Sequence, residues 1–450
     1  MPVQNSSAFG TPLARLGLCL LMFSGVLWGR AGEAHSLMRD FIGINGHTVQ
    51  FKPELYQPVC RLVRDYHPVE WDLGKKTAEP PPFPFAKNGV DWSKVYGSWR
   101  EQGWGIDGCL MFETVPRTNW TNLEKDARAY GLALAREFGP SGKRRLLDSV
   151  EIGNEPGKWN NSDYSHLFQA TAEGIRAGDP KLRIATCNVT TGKGDDYTKS
   201  VECVAGFSGL FDVLNVHSYA ELTGWPTWRR SFPEDPKLPH HLQDVKLLCQ
   251  WRDLHAPGKA VWITEFGYDS STKPAAKTGD FAQWVGITDR QQAQWLVRSL
   301  LVFSAMPVER AYVYFFNDED QPSLHASSGL TRHFQPKPSY HALSHLQRTL
   351  GEYRFQRSVT NEPGRLRVQE YQHGQQASKV VWAVWSPTGE GTGFSATFDG
   401  TPGKLVDVQR MPFTATADPV AARPAFNQSH AGRVEIAVDE TPLYLFFEKP

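Results

Sequence analysis

The chain has 450 residues, which is enough for two or three domains and a large hydrophobic core. Its 48 basic and 48 acidic residues give a formal net charge of +0, so the composition does not indicate a basic surface for nucleic acid or anionic lipid. Aromatic residues are plentiful, with 15 Trp, 14 Tyr and 25 Phe. Most would fill the core, but exposed aromatic faces suit flat, amphipathic ligands such as sugar rings.

The first 34 residues have the pattern of an export signal. Arg15 precedes an apolar run at residues 16–28, and this run is too short to span a bilayer. Residues 32–34 (Gly-Glu-Ala) then offer a small-x-small cleavage site. We therefore expect a signal peptide over residues 1–34, and a secreted or periplasmic protein that begins near His35. Once the signal is removed, we expect no membrane attachment; an uncleaved anchor is the alternative.

Five cysteines remain once Cys19 is removed with the signal. Their spacings match neither a disulfide scaffold nor a zinc site, and no cluster of His, Cys and Asp has metal-ligand spacing. One disulfide is compatible with an oxidising compartment, and Cys187–Cys203 is the pair that we predict. We expect neither a metal nor another cofactor.

Eight apolar strands alternate with helical segments before residue 350. The predicted strands are Phe41–Gly46, Cys60–Tyr66, Gly105–Glu113, a fourth through Val150 and Ile152, Leu182–Val189, Phe211–Ala220, Lys259–Tyr268 and Arg310–Asn317. The predicted helices are Trp92–Gln102, Asn119–Phe138, Asp163–Ala177, Tyr197–Phe207, His241–His255, Asp289–Ser304 and Pro338–Leu350.

Buried strands joined by helical crossovers require a parallel sheet, and eight repeats predict an α/β fold of the (β/α)8 TIM-barrel type over residues 35–350. An open doubly wound sheet is the alternative, but no Gly-rich phosphate turn follows the first strand. After residue 351 the helical spacing disappears, and short strands separated by Gly, Pro and Asp predict a C-terminal antiparallel β-sandwich domain over residues 351–450. This domain could also use a strand from the start of the mature chain.

Polar side chains stand at the ends of several predicted strands. They are Arg64 and His67 on the second, Glu113 on the third, Asn154 and Glu155 on the fourth, His217 and Tyr219 on the sixth, Glu265 on the seventh, and Asn317 and Asp318 on the eighth. In a (β/α)8 barrel these ends form the active site, and the fourth and seventh strands face each other across it. Glu155 and Glu265 can therefore flank one bond, which is the arrangement that glycoside hydrolysis requires.

The motifs VEIGNEP, HSY and ITEFGYD, on strands four, six and seven, resemble clan A of the glycoside hydrolases, a retaining (β/α)8 group. The strand-eight passage YVYFFNDEDQ and the trailing β domain look most like family 39, with families 5, 51 and 79 as neighbours. This resemblance implies a carbohydrate substrate. It also implies the following roles: Glu155 as acid/base, Glu265 as nucleophile, Asn154 as a contact to the sugar 2-hydroxyl, Arg64 as support for the nucleophile, and His217 with Tyr219 as residues that orient the two carboxylates.

The chain departs from the family 39 pattern at two places. Many members have Trp where this chain has Gly153, and no Trp closes strand eight at Phe315 or Phe316. Other candidate contacts with the substrate are Asn317 and Glu113, which could instead anchor a loop. Tryptophans in loops are candidate stacking platforms, with packing in the core as the alternative for each: Trp104, Trp159, Trp225, Trp228 and Trp284.

The tripeptide Asn-Glu-Pro occurs twice, and the second copy tests how specific the letters are. Asn361-Glu362-Pro363 follows polar residues outside the barrel, so we predict a turn there. The prediction that Glu155 is functional therefore depends on its position after the fourth strand and on its pairing with Glu265, rather than on the tripeptide. Two other functions use the same residues: a carbohydrate-binding protein on an inactive barrel, and a transglycosylase in which a sugar replaces water.

Overall fold

The computed structural model describes residues 35–47, 52–389, 391–415, 426–428 and 433–449. The predicted signal peptide lies outside these residues, so export stays a prediction. His35–Pro450 form one compact unit. In the described part of the chain, no helix combines the length and the apolar character needed to cross a membrane.

Eight parallel strands form a closed barrel. They are β1 (Ile42–Gly46), β2 (Leu62–Pro68), β3 (Gly105–Met111), β4 (Ser149–Ile152), β5 (Arg183–Thr190), β6 (Val213–His217), β7 (Ala260–Phe266) and β8 (Arg310–Val313). Strands that follow each other along the chain pair side by side. The pairing of β8 with β1 closes the ring. The predicted (β/α)8 barrel is confirmed, and the open doubly wound sheet is excluded.

Helices precede, connect and follow the barrel strands. They are Met38–Phe41, Pro53–Tyr56, Val69–Leu73, Trp92–Glu101, Leu123–Phe138, Asn161–Gly178, Glu202–Ala205, Leu242–His255, Asp289–Ser304 and Pro338–Leu350. The caps explain two of the starts: Asn122 accepts a hydrogen bond from the Lys125 amide, and Thr288 with Gln291 forms a capping box. The fifth crossover is shorter than the predicted 197–207, because residues 199–200 pair with β5 instead.

The inside of the barrel is layered. Side chains alternate along a strand, so every second residue points inward. A small apolar cluster fills the part nearest the strand starts, formed by Leu62, Ala185, Val213, Trp262 and Tyr312. Farther along the same strands, the inward positions become polar, with Arg64 after Leu62 and Thr264 after Trp262. The charged residues of the candidate site therefore stand on a closed apolar floor.

The C-terminal region forms two antiparallel sheets. Its strands are β9 (Tyr353–Glu362), β10 (Leu366–His373), β11 (Lys379–Trp385), β12 (Phe394–Phe398), β13 (Lys404–Arg410), β14 (Phe426–Gln428), β15 (Val434–Val438) and β16 (Leu443–Glu448). The larger sheet has the order β9-β10-β11-β16-β13, and the smaller has the order β12-β15-β14. In the second Asn-Glu-Pro copy, Asn361 and Glu362 are the last residues of β9 and the turn to β10 begins at Pro363, so the predicted turn is confirmed for the proline alone.

Alternation along β11 shows how these sheets pack. Val380, Trp382 and Val384 belong to the core between the two sheets, whereas Val381 and Trp385 join the main barrel core. The sandwich therefore packs through its larger sheet onto the barrel. The strands of both sheets lie after residue 350, so the described N-terminal segment adds none. His35–Pro450 form one compact unit, so the predicted domain boundary at residues 350 and 351 stays a prediction.

The structure corrects the prediction of a disulfide. The five cysteines among the described residues are free and buried, Cys187 and Cys203 included. Cys187 lies on β5, where its amide donates to the hydroxyl of Tyr164 at 3.2 Å, and Cys203 lies in the short helix Glu202–Ala205. Burial raises the pKa of both thiols, which keeps them neutral and unreactive.

Candidate active site

Glu265 lies near the end of β7, and both of its carboxylate oxygens are hydrogen-bonded. Oε1 accepts from Nη1 of Arg64 at 2.9 Å and from the hydroxyl of Tyr66 at 2.6 Å. Oε2 accepts from the hydroxyl of Tyr219 at 2.8 Å. The side chain is only 7% exposed. Three donors, one of them a cation, hold this carboxylate in one orientation and favour its ionised form.

Arg64 is itself held by a second glutamate. Its Nε and Nη2 donate to the two oxygens of Glu151 at 2.9 and 2.8 Å, and its Nη1 also donates to Oδ1 of Asn45 at 2.8 Å. The side chains of Arg64 and Glu151 have no exposed surface. Because an unpaired buried charge is strongly unfavourable, this bidentate pair explains how a fully buried guanidinium is kept beside Glu265.

Glu155 lies in the loop after β4, and its side chain is 29% exposed. Its Oε1 is 2.9 Å from Nδ1 of His217, and the same nitrogen is 3.6 Å from Oε2 of Glu265. One oxygen of each glutamate and one ring nitrogen of His217 all lie within 4.8 Å of one another. The structure therefore brings the two predicted glutamates together, with His217 between them.

The charges of these groups shift one another's proton affinity. Burial alone would raise the pKa of Glu265, but the charges of His217 and Arg64 and the hydrogen bonds from two tyrosines outweigh burial and lower that pKa well below its usual value. Burial alone would lower the pKa of His217, but the charge of Glu265 and the hydrogen bond with Glu155 raise it above its usual value. The resting site therefore favours an ionised Glu265 beside a charged imidazole.

The loop that carries Glu155 is anchored by Glu113, which follows β3 in a short 3₁₀ turn. Oε1 of Glu113 accepts from the backbone amides of Asn154 at 3.0 Å and Glu155 at 3.3 Å. Gly153 has a φ of +90°, which side chains rarely adopt, so this loop requires glycine where many family 39 members have Trp. Oδ1 of Asn154 accepts from Arg64 at 2.9 Å, and its Nδ2 has no partner among the described residues.

Glu113 also gives a testable pH dependence. Burial raises its pKa from 4.5 to about 7, against the lowering effect of the backbone hydrogen bonds. The folded protein therefore binds a proton that the unfolded chain releases, so this group's contribution to stability falls as the pH rises from about 4.5 to about 7. Glu113→Gln keeps an acceptor oxygen and loses this titration.

We expect the Glu113→Gln variant to gain about 2–3 kcal/mol relative to wild type between pH 4.5 and pH 7.5. The measurement is denaturant unfolding of both proteins at the two pH values. Parallel changes in their stability across this range would contradict the assignment.

Three aromatic residues reach the site although the sequence analysis did not select them. Tyr66 binds Glu265, as described above. Tyr314 directly follows β8, and its ring centroid is 6.5 Å from those of Tyr66 and Tyr219. His325 contacts the ring of Tyr219 edge-on at 4.5 Å, and burial lowers its pKa, which favours the neutral imidazole. Strand alternation could have identified Tyr66, because it points the same way as Arg64.

The tryptophans predicted as stacking platforms differ in exposure. Trp159 is 8% exposed and packs edge-on against Trp120, with ring centroids 6.4 Å apart. Trp104 is 2% exposed and belongs to the core, so the prediction that it is an exposed stacking platform is wrong. Trp225 is 71% exposed. A contact between Trp159 and substrate stays a prediction, and its burial leaves little ring surface for that contact.

Asn317 is not at the end of a barrel strand, which corrects its predicted position. β8 ends at Val313, and residues 317–318 pair with 331–332 in a separate short sheet. Oδ1 of Asn317 accepts from Thr331 at 3.0 Å and from the Phe334 amide at 2.6 Å, and the residue is 1% exposed. Both hydrogen bonds of Asn317 are therefore made within its own segment, and a contact between Asn317 and substrate stays a prediction.

The spacing of Glu155, His217 and Glu265 would also suit a metal ion. However, the guanidinium of Arg64 lies 2.9 Å from Glu265 and repels a cation from this carboxylate. The same guanidinium stabilises the ionised form of Glu265. The donor set therefore fits a pair of reacting carboxyl groups better than a metal centre.

No protein-family model matches the chain, and no curated protein matches its sequence. Solved structures do match. A family 39 glycoside hydrolase from the gut symbiont Bacteroides cellulosilyticus WH2 is 16% identical with a TM-score of 0.65, over 92% of this chain and 82% of that chain. A glucosidase from Croceicoccus marinus is 13% identical with a TM-score of 0.61, over 93% and 98%.

A third match is the catalytic domain of the GH30 xylanase C from Talaromyces cellulolyticus, 12% identical with a TM-score of 0.57, over 93% and 98% of the two chains. At these identities the likeness concerns the fold. The resemblance predicted from the motifs on strands four, six and seven is confirmed at that level: the chain has the barrel-and-sandwich fold of clan A glycoside hydrolases, with structures of families 39 and 30 among its matches.

Proposed function

We propose that the protein is a retaining glycoside hydrolase that cleaves β-linked glycosides or polysaccharides. The observation that supports this most is the distance between the two glutamates, whose nearest oxygens are within 4.8 Å. Retaining enzymes hold their two carboxyl groups about 5–5.5 Å apart, whereas inverting enzymes leave about 6.5–9.5 Å for a water molecule. The close approach of Glu155 and Glu265 supports the retaining arrangement.

In the first step, Glu265 attacks the anomeric carbon while Glu155 donates a proton to the departing glycosidic oxygen. Glu265 suits attack because it is ionised and because Tyr66 and Tyr219 hold its orientation. Glu155 suits proton donation because it is the more exposed of the two glutamates and can reach an oxygen at the mouth of the barrel.

In the second step, Glu155 removes a proton from water, which attacks the anomeric carbon and releases Glu265. The lowered pKa of Glu265 favours this step, because a weaker base is a better leaving group. Esterification also neutralises Glu265 and removes the negative charge that raises the pKa of His217. His217 thereby links the proton affinity of the site to the covalent state of Glu265.

Several groups around the pair have donors or surfaces for a sugar. Nδ2 of Asn154 can donate to a ring hydroxyl, because its Oδ1 is already bound to Arg64. The rings of Tyr314 and His325 stand beside Tyr219 and offer an aromatic wall. We infer that these residues contact the sugar unit that becomes attached to Glu265.

A screen tests this function directly. We expect the purified protein to release nitrophenolate from at least one aryl β-glycoside in a panel run beside polysaccharides. The control is the double variant Glu155→Gln, Glu265→Gln, which should keep its circular dichroism spectrum and lose activity. Binding of a polysaccharide without any hydrolysis would instead support the inactive binding protein, and sugar-acceptor products would support the transglycosylase.

We also infer from the sequence alone that the enzyme acts outside the cytoplasm. The apolar run at residues 16–28 and the cleavage pattern at residues 32–34 support export. A mature N-terminus near His35 would agree with this, and a protein found only in the cytoplasmic fraction would contradict it.

A further inference from the structure

A second cavity lies between the loop that follows β6 and the C-terminal sheets. We name it the loop–sheet cavity; its volume is about 690 Å³, which is large enough for a sugar unit. Six of its lining residues are Arg229, Arg230, Lys237, Arg367, Phe232 and Trp295. Neither Glu155 nor Glu265 belongs to this lining. The cavity is therefore separate from the proposed active site.

Two arginines of this lining have buried N–H groups that form no hydrogen bond with a described residue. Arg230 is 4% exposed, and its Nε and Nη1 are buried without a hydrogen bond to any described residue. The Nε of Arg367 is in the same situation. The nearest carboxylate to Arg230 is that of Glu221, whose Oε2 is 3.4 Å from Nη1 in a partly exposed ion pair. Buried N–H donors without acceptors are unfavourable, so an acceptor that enters the cavity would gain affinity from both arginines.

The carboxylates of the cavity are already bound to other donors. Glu234 forms an ion pair with the buried Arg298 and accepts from Nε1 of Trp385 at 2.7 Å. Asp235 accepts from the hydroxyl of Ser231 at 2.5 Å. Neither carboxylate therefore satisfies the two arginines. With Arg229 and Lys237 also in the lining, the cavity keeps a positive potential that attracts an anion.

The lining also has features that a bare inorganic anion would leave unused. Phe232 and Trp295 form an aromatic wall, and Nε1 of Trp295 is a further buried donor without an acceptor among the described residues. An apolar face next to hydrogen-bond donors suits a saccharide, which has C–H faces and hydroxyl oxygens. The ligand that fits the whole lining combines a sugar ring with a negative charge.

Arg230 connects this cavity to the proposed active site. Its guanidinium lies over the ring of Tyr219, 4.6 Å from the centroid, and the hydroxyl of Tyr219 donates to Glu265. One side chain thus separates the cavity from a residue that orients the proposed nucleophile. A glycan that extends away from Glu265 on this side would meet Arg230 first.

We propose that the loop–sheet cavity binds an oxyanion carried by a saccharide, either a uronate carboxylate or a sulfate ester, through Arg230 and Arg367. Acidic glycans are then the substrate class, an extension that rests on the proposed hydrolase function. The binding site itself does not depend on hydrolysis, so the two claims can fail separately.

The test is a ligand-observed NMR titration of the full chain with glucuronate, its neutral methyl ester and glucose 6-sulfate. None of these monosaccharides contains a glycosidic bond, so a glycoside hydrolase cannot cleave them and the titration measures binding alone. We expect the wild-type protein to bind glucuronate or the sulfate about tenfold or more tightly than the ester. Arg230→Gln and Arg367→Gln should each weaken that binding by a similar factor.

Arg365→Gln is the matched control. Arg365 lies two residues from Arg367, has an exposed side chain paired with Glu362, and does not line the cavity, so binding should be unchanged. Equal affinity for the methyl ester, unchanged affinity in both arginine variants, or binding of inorganic phosphate alone would each overturn the proposal. Hydrolysis of a neutral aryl glycoside without any binding of the acidic sugars would overturn this inference and leave the proposed function intact.

Discussion

Glu265→Ala is expected to lower kcat on an aryl β-glycoside by about 10⁴-fold or more, because the reaction loses its covalent nucleophile. The space that the carboxylate occupied is lined by the cation Arg64 and the hydroxyls of Tyr66 and Tyr219, which together attract a small anion. Azide bound in this space should therefore attack the anomeric carbon from the face that Glu265 attacks in the wild type, and so restore turnover. The product should be the α-glycosyl azide, with configuration inverted relative to the β-glycoside.

The isosteric variant Glu265→Gln serves as the comparison. It keeps the side-chain volume and fills the space, so azide should not rescue it. Activity close to wild type in either variant would contradict the assignment of Glu265. Rescue that gives a β-glycosyl azide would also contradict it, because the azide would then have replaced a different group.

Glu155→Ala is expected to separate the two steps of the reaction. With a poor leaving group, kcat/KM should fall about 10²–10⁴-fold because no acid protonates the departing oxygen. With a dinitrophenyl leaving group, the first step needs no acid, so the glycosyl-enzyme should accumulate and KM should fall. Azide needs no general base, so it should accelerate turnover and give the β-glycosyl azide. The opposite configurations from the two alanine variants distinguish nucleophile from acid/base.

The chain supplies a matched control for this variant. Glu362 is the glutamate of the second Asn-Glu-Pro copy, and it pairs with Arg365 on the surface of a β-hairpin. Glu362→Ala should leave both kinetic parameters unchanged. An effect of Glu155→Ala that is equal for good and poor leaving groups would contradict its role as proton donor.

The barrel and the position of its two glutamates could be predicted because both depend on local patterns. An apolar strand that stops at a polar residue is visible in one sequence, and the order of eight strands places the fourth opposite the seventh. Arg64, His217 and Tyr219 were found by the same reasoning, and the structure brings each of them to Glu265.

The remaining contacts join residues that are far apart in the sequence, and a local sequence pattern does not show which of them pair. Arg64 binds Glu151, which is 87 residues away along the chain. A charged residue inside a buried strand was a usable sign that Glu151 needs a partner. The identity of that partner follows only from the closed barrel.

Side-chain direction explains a second group of differences. Arg64 and Tyr66 point into the barrel, whereas the alternate residues of the same strand point outward. His67 is one of these, and it binds Asp72 at 2.6 Å outside the site. Asn317 was placed at a strand end because the apolar letters continue past Val313. Apolar letters alone cannot show where a strand leaves the barrel.

The central claim is that Glu265 forms a covalent bond with the substrate sugar. The most direct test treats the protein with a 2-deoxy-2-fluoro β-glycoside of the sugar that it hydrolyses, digests it, and locates the label by mass spectrometry. The account predicts one sugar per chain, attached to Glu265 in the peptide that contains ITEFGYD. A label on another residue, or an unlabelled enzyme whose first product from a β-glycoside is the α-anomer, would contradict it.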